Sequence, residues 1–387
     1  MDESAETEVG VPTAAQTQIE APGRDLERLL RLLARERATD LHLKVGSAPL
    51  VRIGGVLRAI EAPPFGPGEV RALLEPVLVG ARRQRLETRG DVDFAWSLEG
   101  LGRFRFNVFR QRGTVSAAIR RVETRIPDFE SLRLPVPAME RLARLRRGLV
   151  LVCGATGSGK STTLAALIGR INALRRCHIV TIEDPIEYLH TDAKAFINQR
   201  EVGIDVPDFH TALRAVMRQD PDVILVGEMR DRETFEAALA AAETGHLVFS
   251  TLHSADVRST IGRLVDLFPP ERERQIRHAL RFHLRAVICQ KMLAAKDPAV
   301  RRVPAIELLL VNAEARKAIA EGEDDRLAVI LRAGREQGMI DFNRSLLERV
   351  QAGLVEREAA LAASPNPHQL EMHLKGIYLS EDRGSVR

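Results

Sequence analysis

Two patterns of apolar and polar positions divide this chain. Up to about residue 123 the apolar positions come in short pieces broken by Gly and Pro, whereas beyond about 138 they form longer runs. Leu26, Leu29, Leu30, Leu32 and Leu33 recur at helical spacing, which predicts an amphipathic helix ending near Ala38. Strand-like segments follow at 41–45, 50–53, 93–97, 103–109 and 115–120, with one helical stretch at 69–78. The first pattern therefore predicts a small mixed α+β domain over 24–123.

In the second half, apolar runs at 149–153, 179–182, 223–226 and 247–252 alternate with helical stretches, as in a parallel sheet covered on both faces. Each run ends in polar or glycine-rich residues, so polar groups gather at the carboxyl edge of the sheet, where open α/β sheets bind ligands. The proline-rich stretch 126–137 disfavours helix and sheet alike and predicts a linker over 124–137. After Pro304 the pattern turns helical, through 313–320, 326–337, 342–352 and 356–362. The expected organisation adds a disordered leader at 1–23, an α/β domain at 138–312, a helical region at 313–376 and a tail at 377–387.

Composition changes this picture little. With 45% hydrophobic and 28% charged residues, the 387-residue chain reads as a globular protein of two domains. No apolar run approaches the roughly 20 residues that cross a bilayer, and the acidic N-terminus lacks the pattern of a secretory signal, so a cytoplasmic location is expected. Cys153, Cys177 and Cys289 are isolated in sequence and read as buried thiols without a metal. The net charge of +4 is weak evidence for nucleic acid.

Candidate chemistry is concentrated at three run ends. Gly154-Ala155-Thr156-Gly157-Ser158-Gly159-Lys160-Ser161 satisfies G-x-x-x-x-G-K-[ST] directly after a predicted strand and before a helix-forming stretch that opens with Thr162. Glycines at this spacing let backbone amides wrap phosphates, Lys160 neutralises their charge, and the Ser161 hydroxyl suits Mg²⁺. Glu228 closes the run Val223-Ile224-Leu225-Val226-Gly227, and Glu183 and Asp184 close Ile179-Val180-Thr181-Ile182. A carboxylate beside Mg-bound ATP can orient or deprotonate the attacking water. A solvated strand end or helix cap is the plain alternative for each pair taken alone.

The stretch from Asp220 to Asp231 closely resembles the signature of the secretion ATPase superfamily, which powers type II secretion and type IV pili. Thr181 to Tyr188 is similar to its Asp box, and Thr244 to His253 to its His box. The resemblance spans roughly residues 26–376. It implies a RecA-like P-loop ATPase domain behind an N-terminal PAS-like domain, a homo-hexameric ring, and ATP with Mg as cofactors. It further implies that Glu183 activates water, that Glu228 helps hold Mg²⁺, and that His246 and His253 sense nucleotide. The two N-terminal arginines that reach the triphosphate in this family match Arg105 and Arg120, with Arg103 and Arg121 as neighbouring alternatives.

Extension and type II ATPases usually carry a tetracysteine zinc module, which is missing here, so the chain resembles the retraction branch, PilT and PilU. The stretch Glu314-Ala315-Arg316-Lys317-Ala318-Ile319-Ala320-Glu321 departs from the PilT helix, and the segments at 338–342 and 363–375 are more similar to PilU. The branch implies two partners, an inner-membrane platform protein of the PilC kind and a second retraction ATPase, with the ring peripheral to the membrane. A RecA-like motor on nucleic acid is the competing expectation, because arginines cluster at 141–147 and 272–285; the 4% aromatic content and single Trp disfavour it.

Overall fold

The computed structural model describes residues 25–297 and 300–378. The expected leader and all but the first two residues of the expected tail lie outside the described residues. The chain divides after Glu123 into two compact units.

The first unit runs α1 (Leu26–Arg35), β1 (Asp40–Leu43), β2 (Leu50–Ile53), β3 (Val56–Ala59), α2 (Glu69–Leu74), α3 (Ala81–Arg89), β4 (Asp91–Leu98), β5 (Gly102–Gln111) and β6 (Thr114–Arg121). Its strands form one antiparallel sheet in the order β3-β2-β1-β6-β5-β4. All five leucines singled out in α1 are buried, and they join Phe104, Phe106 and Ile119 from one face of the sheet in a single core. On alternate residues of the same strands the register places Arg52, Asp40, Arg120 and Arg105 in one row across β2, β1, β6 and β5. The helix expected at 69–78 is shorter, and α3 and β3 went unforeseen; β3 is exposed at every position and so carries no apolar alternation to read.

The second unit contains α4 (Val136–Ala143), β7 (Gly148–Cys153), α5 (Lys160–Leu174), β8 (His178–Glu183), β9 (Phe196–Glu201), α6 (Phe209–Val216), β10 (Val223–Val226), α7 (Arg232–Glu243), β11 (Leu247–Leu252), α8 (Val257–Val265), α9 (Glu273–His283), β12 (Leu284–Ala294) and β13 (Arg302–Leu310). It ends in α10 (Ala313–Glu321), α11 (Leu327–Ala333), α12 (Phe342–Gln351), α13 (Arg357–Ala363) and α14 (Pro367–Leu374). The sheet order is β13-β12-β7-β11-β10-β8-β9, parallel throughout except for the β12–β13 pair. β7, β10 and β11 are buried at every position, which is why they read as unbroken apolar runs.

Three strands correct the sequence reading. The polar strand Phe-Ile-Asn-Gln-Arg-Glu of β9 lies at a sheet edge, where one flank needs no apolar cover. The arginine cluster at 272–285 is helical only as far as His283, and β12, which the sequence pattern does not show, opens at Leu284. Pro304 does not open the helical region but sits inside β13, the other edge strand, where a missing N–H costs no ladder partner. The helix expected over 326–337 stops at Ala333 and continues as a 3₁₀ turn, and α14 was not foreseen as a separate helix. Cys153 and Cys289, isolated in sequence, are register partners on β7 and β12 and both buried.

Candidate active site

The carboxyl ends of four parallel strands meet on one edge of the second sheet. β7 leads into Gly154, β11 into His253, β10 into Gly227-Glu228, and β8 ends on Glu183. Register fixes them side by side: Cys153 pairs with Leu252, Ser250 with Val226, and Val226 with Ile182. They surround a cavity of about 420 Å³ lined by Thr156, Lys160, Ser161, Glu183, Glu228 and His253, among others.

The glycine-rich turn is built for close approach. Gly154 has φ of 145°, and a Cβ there would stand 2.5 Å from both the Gln290 carbonyl oxygen and Ser158 Oγ, so no other residue fits. α5 begins after Gly159 with no side chain capping it, which leaves its first backbone amides available to an anion, with the helix dipole behind them. The buried Ser158 hydroxyl is likewise without a hydrogen-bond partner. Lys160 Nζ donates to the Gly154 and Ala155 carbonyls at 2.8 and 3.2 Å, and burial lowers its pKa. A protonated amine resting on two carbonyls loses little by exchanging them for phosphate oxygens.

The two glutamates are held in contrasting environments. Glu183 Oε1 accepts from Thr181 Oγ1 at 2.6 Å and from Gln199 Nε2 at 3.1 Å, yet burial outweighs these bonds and raises its pKa. Burial also pushes Glu228 upward, but the hydrogen bond and charge of Arg230, with His253 and Lys160, hold its carboxyl below the usual range. Its two oxygens are engaged by Arg230 at 2.8 Å and His253 Nε2 at 3.1 Å.

Of the residues expected in the site, the glycine-rich segment, Lys160, Ser161, Thr162, Glu183, Glu228 and His253 are brought together. His246 is not among them. It precedes β11 at the amino edge, seven residues along the extended chain or roughly 23 Å from His253, and its Nδ1 lies 2.9 Å from the Ala241 carbonyl oxygen. Arg105 and Arg120 belong to the first unit, where Arg120 Nε donates to Asp40 Oδ1 at 2.8 Å.

Four lining or supporting residues escaped the sequence reading. Gln199 bridges Glu183 and the Tyr188 carbonyl, and the Tyr188 hydroxyl lies 3.0 Å from Thr162 Oγ1. Burial drives His190 down to about 4, so its ring is neutral at physiological pH. Arg230 lies within the Asp220–Asp231 stretch, but its pairing with Glu228 needs the turn after β10 to show it.

Residues 23–356 match the family model described as type II/IV secretion system protein. The chain is 38% identical over 351 residues to the type IV pilus ATPase PilU of Pseudomonas aeruginosa, covering 91% of each chain. It is 40% identical over 336 residues to the pilus retraction ATPase PilT of the same organism, covering 87% of this chain and 97% of that one. The crystal structure of the retraction motor PilT with bound ADP superposes with a TM-score of 0.83 at 44% identity, over 89% of this chain and 98% of that chain. With the family match spanning most of its length and the P-loop set at the sheet edge, this chain belongs to the type II/IV secretion system protein family.

Proposed function

We propose that this protein is an ATP-hydrolysing motor subunit for type IV pilus retraction, the activity that underlies twitching motility. The observation that carries the catalytic part is the pairing of a complete P-loop with two carboxylates whose proton affinities are driven apart, Glu183 up and Glu228 down. Such a split separates roles: a carboxylate with raised affinity can take a proton from water, and one that stays ionised suits a cation. The backbone amides of 154–162 and Lys160 hold the phosphates, Glu183 receives the proton of the attacking water, and His253 contacts Glu228 where it can register the occupancy of the site.

The hard oxygen donors Ser161 Oγ and Glu228 share the cavity and fit Mg²⁺ carried in by a triphosphate, which supplies most of the remaining ligands. Bound there, the ion would neutralise charge on the phosphates. Among the described residues no group of three or more His, Cys, Asp or Glu side chains could hold a metal by itself.

For the motor part, the similarity to PilT and PilU supports a homo-hexameric ring in which Arg105 and Arg120 contribute positive charge to the triphosphate. A guanidinium suits that task because it is planar and permanently ionised. No helix among the described residues is long and apolar enough to cross a membrane. A cytoplasmic ring held at the inner membrane by a PilC-like platform protein, alongside a second retraction ATPase, is the reading we favour, with an accessory PilU-type role suggested by the segments at 338–342 and 363–375. Nucleic acid is not the expected track, since Arg141, Arg144, Arg272 and Arg277 are taken up by internal carbonyl or carboxylate partners.

The test is ATP turnover by purified protein. Lys160→Ala should abolish nucleotide binding, whereas Glu183→Gln should bind ATP and slow hydrolysis by about 100-fold or more. A folded Glu183→Gln variant with wild-type turnover would remove the assignment of the base. Complementation of a retraction-deficient strain, with and without a second retraction ATPase, separates motor from accessory.

A further inference from the structure

The topology of the second unit brings three arginines together at the edge of the sheet opposite the nucleotide cavity. β7 and β12 are parallel and start on that edge, so Arg147, just before β7, stands beside Arg285, the second residue of β12. β13 runs antiparallel to β12 and ends there, and the Val311 amide donates to the Arg285 carbonyl at 2.9 Å, which delivers α10 and its Arg316 to the same place.

Arg285 occupies a seat made for it. Its Nε donates to the Arg147 carbonyl at 3.3 Å and its NH1 to the Phe282 carbonyl at 2.8 Å. Gly148, with φ of 108°, makes the room: a Cβ there would stand 2.6 Å from Arg285 Cγ and 2.7 Å from Nε. The guanidinium is half-buried, and its pKa is lowered first by burial and then by the charges of Arg316 and Arg147. Among the described residues neither Arg147, Arg285 nor Arg316 forms an ion pair with a carboxylate, and no acid is among the charges acting on Arg285. Arg277 on α9 shows the usual alternative, with Asp324 oxygens 2.9 Å from both of its terminal nitrogens. Holding a half-buried cation among like charges costs stability, and an arriving anion would remove that cost.

Beside this cluster lies Phe282, 48% exposed, with the Arg281 guanidinium 5.3 Å from its ring centre. An apolar ring next to three guanidinium groups with no carboxylate partner among the described residues fits a ligand that carries carboxylates and an apolar side chain close together. The recessed position of Arg285 favours an extended protein segment over a lipid surface, because a flat layer of headgroups meets protruding cations more readily than a seated fork.

We propose that the Arg147–Arg285–Arg316 cluster with Phe282 is a docking site for an acidic segment of a partner protein, one that pairs carboxylates with an apolar anchor. The site is separate from the nucleotide cavity and does not depend on how that cavity works.

Full-length protein and a fluorescein-labelled peptide of mixed Glu and Leu provide the test, read by fluorescence anisotropy across salt concentrations. Wild type should bind in a salt-dependent way, and the double variant Arg147→Glu/Arg316→Glu should weaken binding by roughly tenfold or more while leaving basal ATP turnover unchanged. Arg285→Lys, which keeps charge but loses the fork, should weaken binding several-fold. Phe282→Ala should weaken binding of the Glu/Leu peptide but not of a Glu/Gln peptide. Equal binding by wild type and the double variant would overturn the proposal. So would peptide-independent, Arg-dependent binding to equimolar phosphatidylglycerol–phosphatidylcholine vesicles, which would assign the patch to membrane. Dissociation of the protein's own assemblies by the double variant, without peptide binding by wild type, would make it a subunit contact and equally refute it.

Discussion

Glu183, the carboxyl proposed as the base, shows how much one neighbour can matter. Glu183 is pushed up by burial and held back by the hydrogen bonds of Thr181 and Gln199. Replacing Gln199 by Ala removes one restraint and leaves burial in place, so the pKa of Glu183 should rise further. A base that must be deprotonated to act would then lose activity on the acid side: the acid limb of the pH profile of kcat/KM should move to higher pH, with ATP affinity retained. An unmoved limb would mean that Glu183 is not the titrating base. The same carboxylate was legible as a candidate because it closes an apolar run, but Gln199 sits on an edge strand with no apolar pattern, so nothing along the chain connected the two.

At the level of elements, a buried acid joins two helix starts. Glu307 on β13 accepts from the Val257 amide of α8 at 2.8 Å, and the Phe342 amide at the start of α12 is also among its hydrogen-bond donors. Burial raises its pKa to about 7, with Asp256 and Asp341 adding to the push. Because the folded value lies above the unfolded one, this group's contribution is fully present below about pH 4.5 and is lost as pH rises through about 7, a change of roughly 3 kcal/mol. Chemical denaturation of wild type should therefore show stability falling across that window. Glu307→Gln cannot ionise and should show a flatter dependence; an identical slope would refute the shift. Asp256 caps α8 through Ser259 in a reciprocal pair, so Asp256→Ala should cost about 1 kcal/mol in the same measurement. Gly154→Ala should be worse for nucleotide binding than for stability, since the clash falls on the turn that wraps the phosphates.

For the whole molecule, the P-loop and the two family-matched arginines stand in different units of the chain. If Arg105 and Arg120 act on the triphosphate, activity should depend on assembly. Specific activity should then rise with protein concentration alongside the sedimentation coefficient, and Arg105→Ala or Arg120→Ala should lower kcat more than nucleotide affinity. Full activity in a sedimenting monomer would contradict this. Arg120 is tied to Asp40, whose carboxyl is raised by burial but held lower on balance by Thr39 and Arg120. That ion pair would have to loosen or be shared for Arg120 to serve a phosphate.

By itself the sequence determined what is local. Unbroken apolar runs identified β7, β8, β10 and β11, because strands buried on both faces leave no polar alternation. The P-loop was equally plain, since its chemistry is written in consecutive residues. Edge strand β9 escaped because a half-covered strand tolerates polar residues, and β13, buried at every position but the first, because Pro304 inside it reads locally as a break. Only the tertiary structure decided which charges meet. The sheet order places His253 beside Glu228 but leaves His246 at the far end of the same strand, and it gathers Arg147, Arg285 and Arg316 from positions up to 169 residues apart in the chain. Charge pairing depends on distances of a few ångströms between segments remote in sequence, and register and strand order set those distances.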